Sequence, residues 1–217
     1  QPPGASSPQT RPYAARLLSN GTLDATFQPR PNSAVWSVTP QPGGKILLAG
    51  AFTEVRPGSS TTPVPRPYLA RFEASGTLDS GFQPTPNDAV HCTAIQPDGK
   101  ILVGGNFTAI QSVARGRLAR LQPDGSLDPG FVANTDDFVR SVALQADGMV
   151  LVGGWFRTVQ SSAAPAPLER RYLARVDSGG QLDDSFFPAP TDIVSSVGGQ
   201  GDGRILAGGI FQGLAPG

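Results

Sequence analysis

The sequence predicts an all-β protein, a four-bladed β-propeller of four-stranded antiparallel blades, and three observations carry that prediction. The 217 residues include 27 glycines and 22 prolines, roughly twice average usage, which marks a chain full of turns. One block of two sequence elements recurs four times. The chain opens on the second half of that block and closes on its first half, so that residues 1–27 and 193–217 would together complete one blade.

Composition removes the competing classes. Long helices tolerate little proline, and collagen needs glycine at every third position, a period this sequence lacks. Disorder needs low hydrophobicity and high net charge, whereas 38% of these residues are hydrophobic and 17 basic side chains balance 17 acidic ones. A net charge of zero also removes the electrostatic footprint of a nucleic-acid binder. Cys92 is the single cysteine, which excludes an internal disulfide framework. The longest apolar runs, such as Ile46–Phe52, are too short to span a bilayer, so no membrane insertion is expected. The opening QPPGASSPQT has neither the basic start nor the apolar core of a signal peptide; a secreted protein would have lost its signal.

The repeat is read in two registers. PGGKILLAGAF from Pro42, PDGKILVGGNF from Pro97, ADGMVLVGGWF from Ala146 and GDGRILAGGIF from Gly201 are one element. AARLLSNGTLDATF from Ala14, LARFEASGTLDSGF from Leu69, LARLQPDGSLDPGF from Leu118 and LARVDSGGQLDDSF from Leu173 are the other. The arginine of the second element falls at 16, 71, 120 and 175 and its aspartate at 24, 79, 128 and 183, both in steps of 55, 49 and 55. The short step reflects six residues missing between Phe107 and Arg120, which marks that connection as a surface loop.

Each unit reads as four strands. The first is Ala34–Gln41, and the Gly-Gly or Asp-Gly that follows is a hairpin signal. The second, Lys45–Phe52, is almost continuously apolar, as suits a strand covered on both faces. The third is Tyr68–Phe72, and after a turn at Ala74–Gly76 the fourth is Thr77–Phe82. No segment sustains a 3.6-residue period, so almost no helix is expected. Four strands per unit match a propeller blade, and a linear β-solenoid is the rival. The single domain is expected over 1–217, with units 34–82, 89–131, 138–186, and 193–217 joined to 1–27. Closure by the two ends would leave no open edge.

The combination LAR, a glycine, Leu-Asp and Phe, followed by Val-x-Ser-Val and DGKIL-x-GG-x-F, resembles the delta-60 repeat family of bacterial secreted and surface proteins. The resemblance covers all four repeats. It implies the propeller fold and an extracellular setting, and it brings no established enzymatic activity with it. Gly43, Met149 and Ala49 depart from the repeat pattern.

Recurring residues report what every blade needs. A three-residue hairpin loop sets Arg16, Arg71, Arg120 and Arg175 opposite Asp24, Asp79, Asp128 and Asp183, eight positions later. We read these as structural ion pairs rather than as a ring of carboxylates holding a ligand or metal. Phe27, Phe82, Phe131 and Phe186, with Phe52, Phe107, Phe156 and Phe211, are read as filling between blades. Asp98, Asp124, Asp147 and Asp202 sit in Asp-Gly turns, bonding their own backbone; calcium there is disfavoured, because no turn carries alternating ligands. No cofactor and no metal is expected.

Positions that vary between repeats report on function. The residue after the first-strand valine is Trp36, His91, Arg140 or Ser195, and the residue between Gly and Phe of the second strand is Ala51, Asn106, Trp155 or Ile210. Trp36, His91, Arg140 and Trp155 could form a mixed aromatic and polar ligand site, against the blander reading of tolerant surface positions. Catalysis is not expected. His91 is the single histidine, and Cys92 beside it on a strand points to the opposite face. The expected function is a non-enzymatic, extracellular or cell-surface structural and interaction module, able to form homo-oligomers or filaments by strand exchange at its ends. A lectin-like propeller binding glycans is the alternative, and a hydrolase ranks below it.

Overall fold

A computed structural model describes residues 10–215. It is built from strands, with one 3-10 turn at Pro42–Gly44 and no α-helix among the described residues. Three antiparallel sheets repeat the same plan. In the first sheet the inner strand Val35–Pro40 pairs with the central strand Ile46–Gly50, which pairs with the outer strand Leu69–Phe72. The second sheet comprises Val90–Ile95, Ile101–Gly105 and Leu118–Leu121, and the third Val139–Leu144, Val150–Gly154 and Leu173–Val176. The fourth unit holds only an inner and a central strand, Val194–Gly199 and Ile205–Gly209.

The core lies between sheets, in layers. Phe27 of the N-terminal hairpin joins Leu48, Phe52 and Phe72 of the first sheet in one cluster. Leu47 and Phe82 meet Val90, Val103 and Phe107 of the second unit in the next. Leu102, Leu118 and Phe131 meet Val139, Val152 and Phe156 in a third. Alternate residues of a central strand therefore serve opposite layers, Leu47 facing one and Leu48 the other. This is why these strands are apolar at successive positions. Of the eight recurring phenylalanines, Phe186, which ends the third unit, and Phe211 in the last alone are not buried.

Two expectations are corrected. The fourth strand of each unit shrinks to a single bridge, Leu78 to Phe72, Leu127 to Leu121, Leu182 to Val176 and Leu23 to Leu17. The aspartate one residue later turns its Oδ1 onto the backbone N–H two positions on (Asp24 to Thr26, Asp128 to Gly130), and this Asx turn ends the strand. The closure expected from the two ends is not made among the described residues: none of their strands pairs with the outer edge of Ile205–Gly209. The three connections between central and outer strands also carry structure not foreseen, a small hairpin in each. The one that lacks six residues turns tightly through Gln111 and Ser112, both left-handed at φ 50° and 63°, as a two-residue hairpin turn requires.

Candidate functional site

The sequence builds the same device at one end of every sheet. The inner strand bulges, with the register against the central strand shifting between Val35 and Ser37, Val90 and Cys92, Val139 and Ser141, and Val194 and Ser196. The residue caught in each bulge is Trp36, His91, Arg140 or Ser195. A bulge frees its residue from strict pleat alternation and re-aims the side chain. Opposite the bulge the central strand ends in glycine. A Cβ on Gly50, Gly105, Gly154 or Gly209 would collide with the carbonyl oxygen of Ala34, Ala89, Phe138 or Ile193. That close approach lets the next residue bond across, as Asn106 N–H does to Ala89 O at 2.8 Å and Trp155 N–H to Phe138 O at 3.0 Å. The two variable positions of each repeat are thereby brought side by side at the same end of the sheet.

Across sheets these side chains form a row. The Trp36 indole stacks on the His91 ring with centroids 4.6 Å apart and planes 13° from parallel. His91 lies 5.8 Å from Phe138, which stacks on Trp155 at 4.8 Å. Arg140 Nη1 donates to His91 Nδ1 at 3.0 Å, and His91 Nε2 lies 2.8 Å from Asn106 Oδ1. A guanidinium can only donate, so Nδ1 carries the lone pair and the proton sits on Nε2, donated to Asn106. Burial, together with the neighbouring Arg140 charge, holds the His91 pKa below its usual value. Trp36 and Trp155 stay 46% and 45% exposed. Two cavities flank Trp155. One, of about 360 Å³, is lined by His91, Asn106, Phe138, Arg140 and Ser195. The other, of about 390 Å³, is lined by Asp136, Asp137, Arg157, Tyr172 and Asp192. Tyr172 is left-handed at φ 63°, as are Tyr13, Tyr68 and Arg117 at the same place in their repeats. Its N–H is held by Phe156 O at 2.7 Å and its carbonyl by Gly154 N–H at 3.0 Å, which fixes that backbone at the cavity rim.

Sequence reasoning had singled out Trp36, His91, Arg140 and Trp155, and the structure brings all four into this row. It had passed over Phe138, which connects its two ends. The signal was available: the residue before the inner-strand valine is Ala34 and Ala89 in two repeats and Phe138 in the third. Cys92 faces away, into the layer between the second and third sheets, where burial pushes its thiol up to about 12.

The recurring arginines and aspartates lie elsewhere. Arg16 Nε–Asp24 Oδ2, Arg71 Nε–Asp79 Oδ2, Arg120 Nε–Asp128 Oδ2 and Arg175 Nε–Asp183 Oδ2 are each 2.8 Å. Each guanidinium also covers the phenylalanine that ends its repeat, Phe27, Phe82, Phe131 or Phe186, at 4.3 to 5.1 Å. Arg71 Nη1 donates to Pro123 O and Arg120 Nη1 to Ser178 O, each in the next unit. The carboxylate of Asp79 is desolvated, which alone would raise its pKa, but hydrogen bonds from Lys45 and Arg71 overcome this and hold it at about 2. In the Asp-Gly turns, Asp98, Asp124, Asp147 and Asp202 accept from the backbone N–H two residues on.

The family described as "Domain of unknown function (DUF5122) beta-propeller" matches at residues 4–27, 41–82, 96–131 and 145–186, taking in the arginine–aspartate hairpin of every repeat. The chain belongs to this family. The three longer DUF5122 segments each take in a central strand, its outer strand and the outer hairpin, and begin after the inner strand. No curated protein sequence matches the chain. Among solved structures it is similar to the WD40 β-propeller domain of Doa1, with TM-score 0.55 and 17% identity over 81% of this chain and 48% of that one. It is similar also to U3-55K, with TM-score 0.50 and 13% identity over 83% and 53%. The chain therefore spans about half the length of these solved propellers. At such identities the likeness concerns the fold, a propeller arc.

Proposed function

We propose that this DUF5122 chain is a non-enzymatic structural and interaction module of the cell exterior, and that it engages partners through the row Trp36–His91–Phe138–Trp155. The observation that carries the reading is the convergence of blade-variable residues from three units into one contiguous, half-exposed aromatic row. Large aromatics beside an arginine are the side chains that most often dominate binding energy. The extracellular setting rests on the resemblance to delta-60 repeats. The non-enzymatic part is supported by the site itself. Both nitrogens of the single histidine are engaged, and each repeat aspartate is paired with its arginine. Assembly of copies by strand exchange is supported by the exposed outer edge of Ile205–Gly209.

Selection from a random peptide library on the immobilised chain should enrich sequences whose affinity falls about tenfold or more on a Trp36→Ala/Trp155→Ala variant. Equal binding to the variant would place recognition elsewhere. A second reading, glycan binding, is favoured by Trp155 standing between two polar cavities, one with Asp137 and Asp192, the other with Asn106 and Arg140. It predicts glycan-array signals and saccharide-dependent tryptophan fluorescence; an unresponsive protein rejects it.

A further inference from the structure

The contacts that one unit makes with the next are repeated along the chain and then left unmade at two places. Outer strands add to central strands in one register: Leu47 pairs with Arg71, Leu102 with Arg120 and Leu151 with Arg175. Among the described residues the central strand Ile205–Gly209 carries no outer strand, and Leu206, the counterpart of the fully buried Leu47, Leu102 and Leu151, is 60% exposed. The N-terminal hairpin shows the complementary lack. It is an outer strand with no central strand to add to. Leu17, the counterpart of the fully buried Phe72, Leu121 and Val176, is 63% exposed.

Contacts between units tell the same story. The turn glycines Gly76, Gly125 and Gly180 press against Thr26, Phe82 and Val132 of the preceding unit, while their counterpart Gly21 has nothing within 4 Å. Gly104 and Gly153 press against Val139 and Val194 of the following unit, while Gly208 has nothing within 4 Å. Arg16, Arg71 and Arg120 each donate to a turn carbonyl of the following unit, at Ala74, Pro123 and Ser178. The hydrogen bonds of Arg175 go to Asp183, within its own hairpin. By the repeat register its missing acceptor is Ser19 O. The two bare faces are therefore the two halves of one and the same interface.

We propose that two copies of this chain close into a single ring, with residues 14–17 of each copy added as the outer strand on Ile205–Gly209 of the other. The proposal rests on the strand-exchange reading above and deepens it. The register is dictated by the three complete sheets: Ile205 opposite Leu17, Leu206 opposite Arg16, Ala207 opposite Ala15 and Gly208 opposite Ala14. The number two follows from length: this chain aligns with 48% and 53% of the length of the two solved propeller chains, so a second copy supplies a comparable remainder. A head-to-tail contact that closes after two copies leaves no free edge, whereas one that fails to close gives filaments.

Light scattering on the 217-residue chain should give twice the monomer mass at high concentration. Mixing an Ala15→Cys variant with an Ala207→Cys variant should then give a disulfide-linked heterodimer. Ala14→Cys mixed with Ala207→Cys should not, because neighbouring residues on a strand point to opposite faces. The native Cys92 is packed into the layer between the second and third sheets with a raised pKa and does not compete. Leu17→Cys with Ile205→Cys is the second registered pair should an alanine variant fold poorly. A dimer that links in neither registered pair, or masses that grow beyond two copies, overturns the ring and leaves self-association standing. A strict monomer at every concentration, or a disulfide formed within one chain carrying both cysteines, overturns the strand exchange as well.

Discussion

His91 is held by four neighbours of different kinds: Trp36 on one face, Phe138 beyond, Arg140 at Nδ1 and Asn106 at Nε2. Only neutral imidazole satisfies this set, because a protonated Nδ1 would meet the Arg140 guanidinium as donor against donor. Burial is the first cause of its lowered pKa; the Asn106 hydrogen bond opposes it, Arg140 adds to it, and Asp88 opposes it more weakly. The sign of the pH dependence follows. The unfolded chain takes up a proton near the ordinary histidine value of about 6.5, and the folded chain does so only at lower pH. Stability is thus full above that value and falls as the pH drops through it toward the folded pKa. The urea midpoint should be lower at pH 5.5 than at pH 7.5, and a His91→Gln variant should lose that difference. Asp79 does not blur the window, since its titration is displaced downward to about 2. An equal pH response in protein and variant would contradict the assigned protonation. Much of this site was legible in the sequence, because a repeat supplies its own background. Trp36, His91, Arg140 and Trp155 stand out where the blade does not dictate the residue. The pairing of His91 with Arg140 was not legible, since it depends on how far one sheet is rotated against the next.

At the scale of the element, the Gly-Gly pair divides into two roles that the sequence shows as one motif. The second glycine faces a backbone carbonyl across the bulge, which cannot yield without breaking the pairing. The first faces the next sheet, and in one repeat it is Ala49, fully buried. Gly105→Ala should therefore destabilise the protein by about 3 kcal/mol, the upper range for an overpacked site. Gly208→Ala, with open space beside it, should stay within about 0.5 kcal/mol of the parent protein at low concentration. Chemical denaturation of both variants checks the contrast, and similar losses at the two sites would refute it. The bulge itself left no pattern in the residues read singly, because Val-x-Ser-Val also suits a regular strand. The length of the fourth strand was hidden for a related reason. Leu78 and Phe82 suit a strand by composition, but Asp79 ends the ladder by bonding forward to Gly81 N–H.

For the whole molecule, the layered core makes stability a matter of nearest neighbours. Each sheet is held by the one before and the one after, as in other repeat architectures. Among the described residues the hairpin Val194–Gly199 and Ile205–Gly209 has a neighbouring sheet on one side only, and its outer edge is unpaired. In the complete sheets the last glycine of the central strand donates to the left-handed residue before the outer strand: Gly50 to Tyr68 O, Gly105 to Arg117 O and Gly154 to Tyr172 O, at 3.0 to 3.1 Å. The counterpart for Gly209 N–H is Tyr13 O, and within one chain that bond is not made. Hydrogen exchange reads this directly, since opening energies fall where few contacts hold a segment. In dilute protein the Gly209 amide should exchange far faster than those of Gly50, Gly105 and Gly154. Raising the concentration should slow Gly209 selectively, as a second copy supplies the acceptor and covers Leu206. The amides of Ile101–Gly105, already paired on both sides, should not respond. Uniform protection of all four glycines at the lowest concentration would mean that the edge is already paired within a single chain.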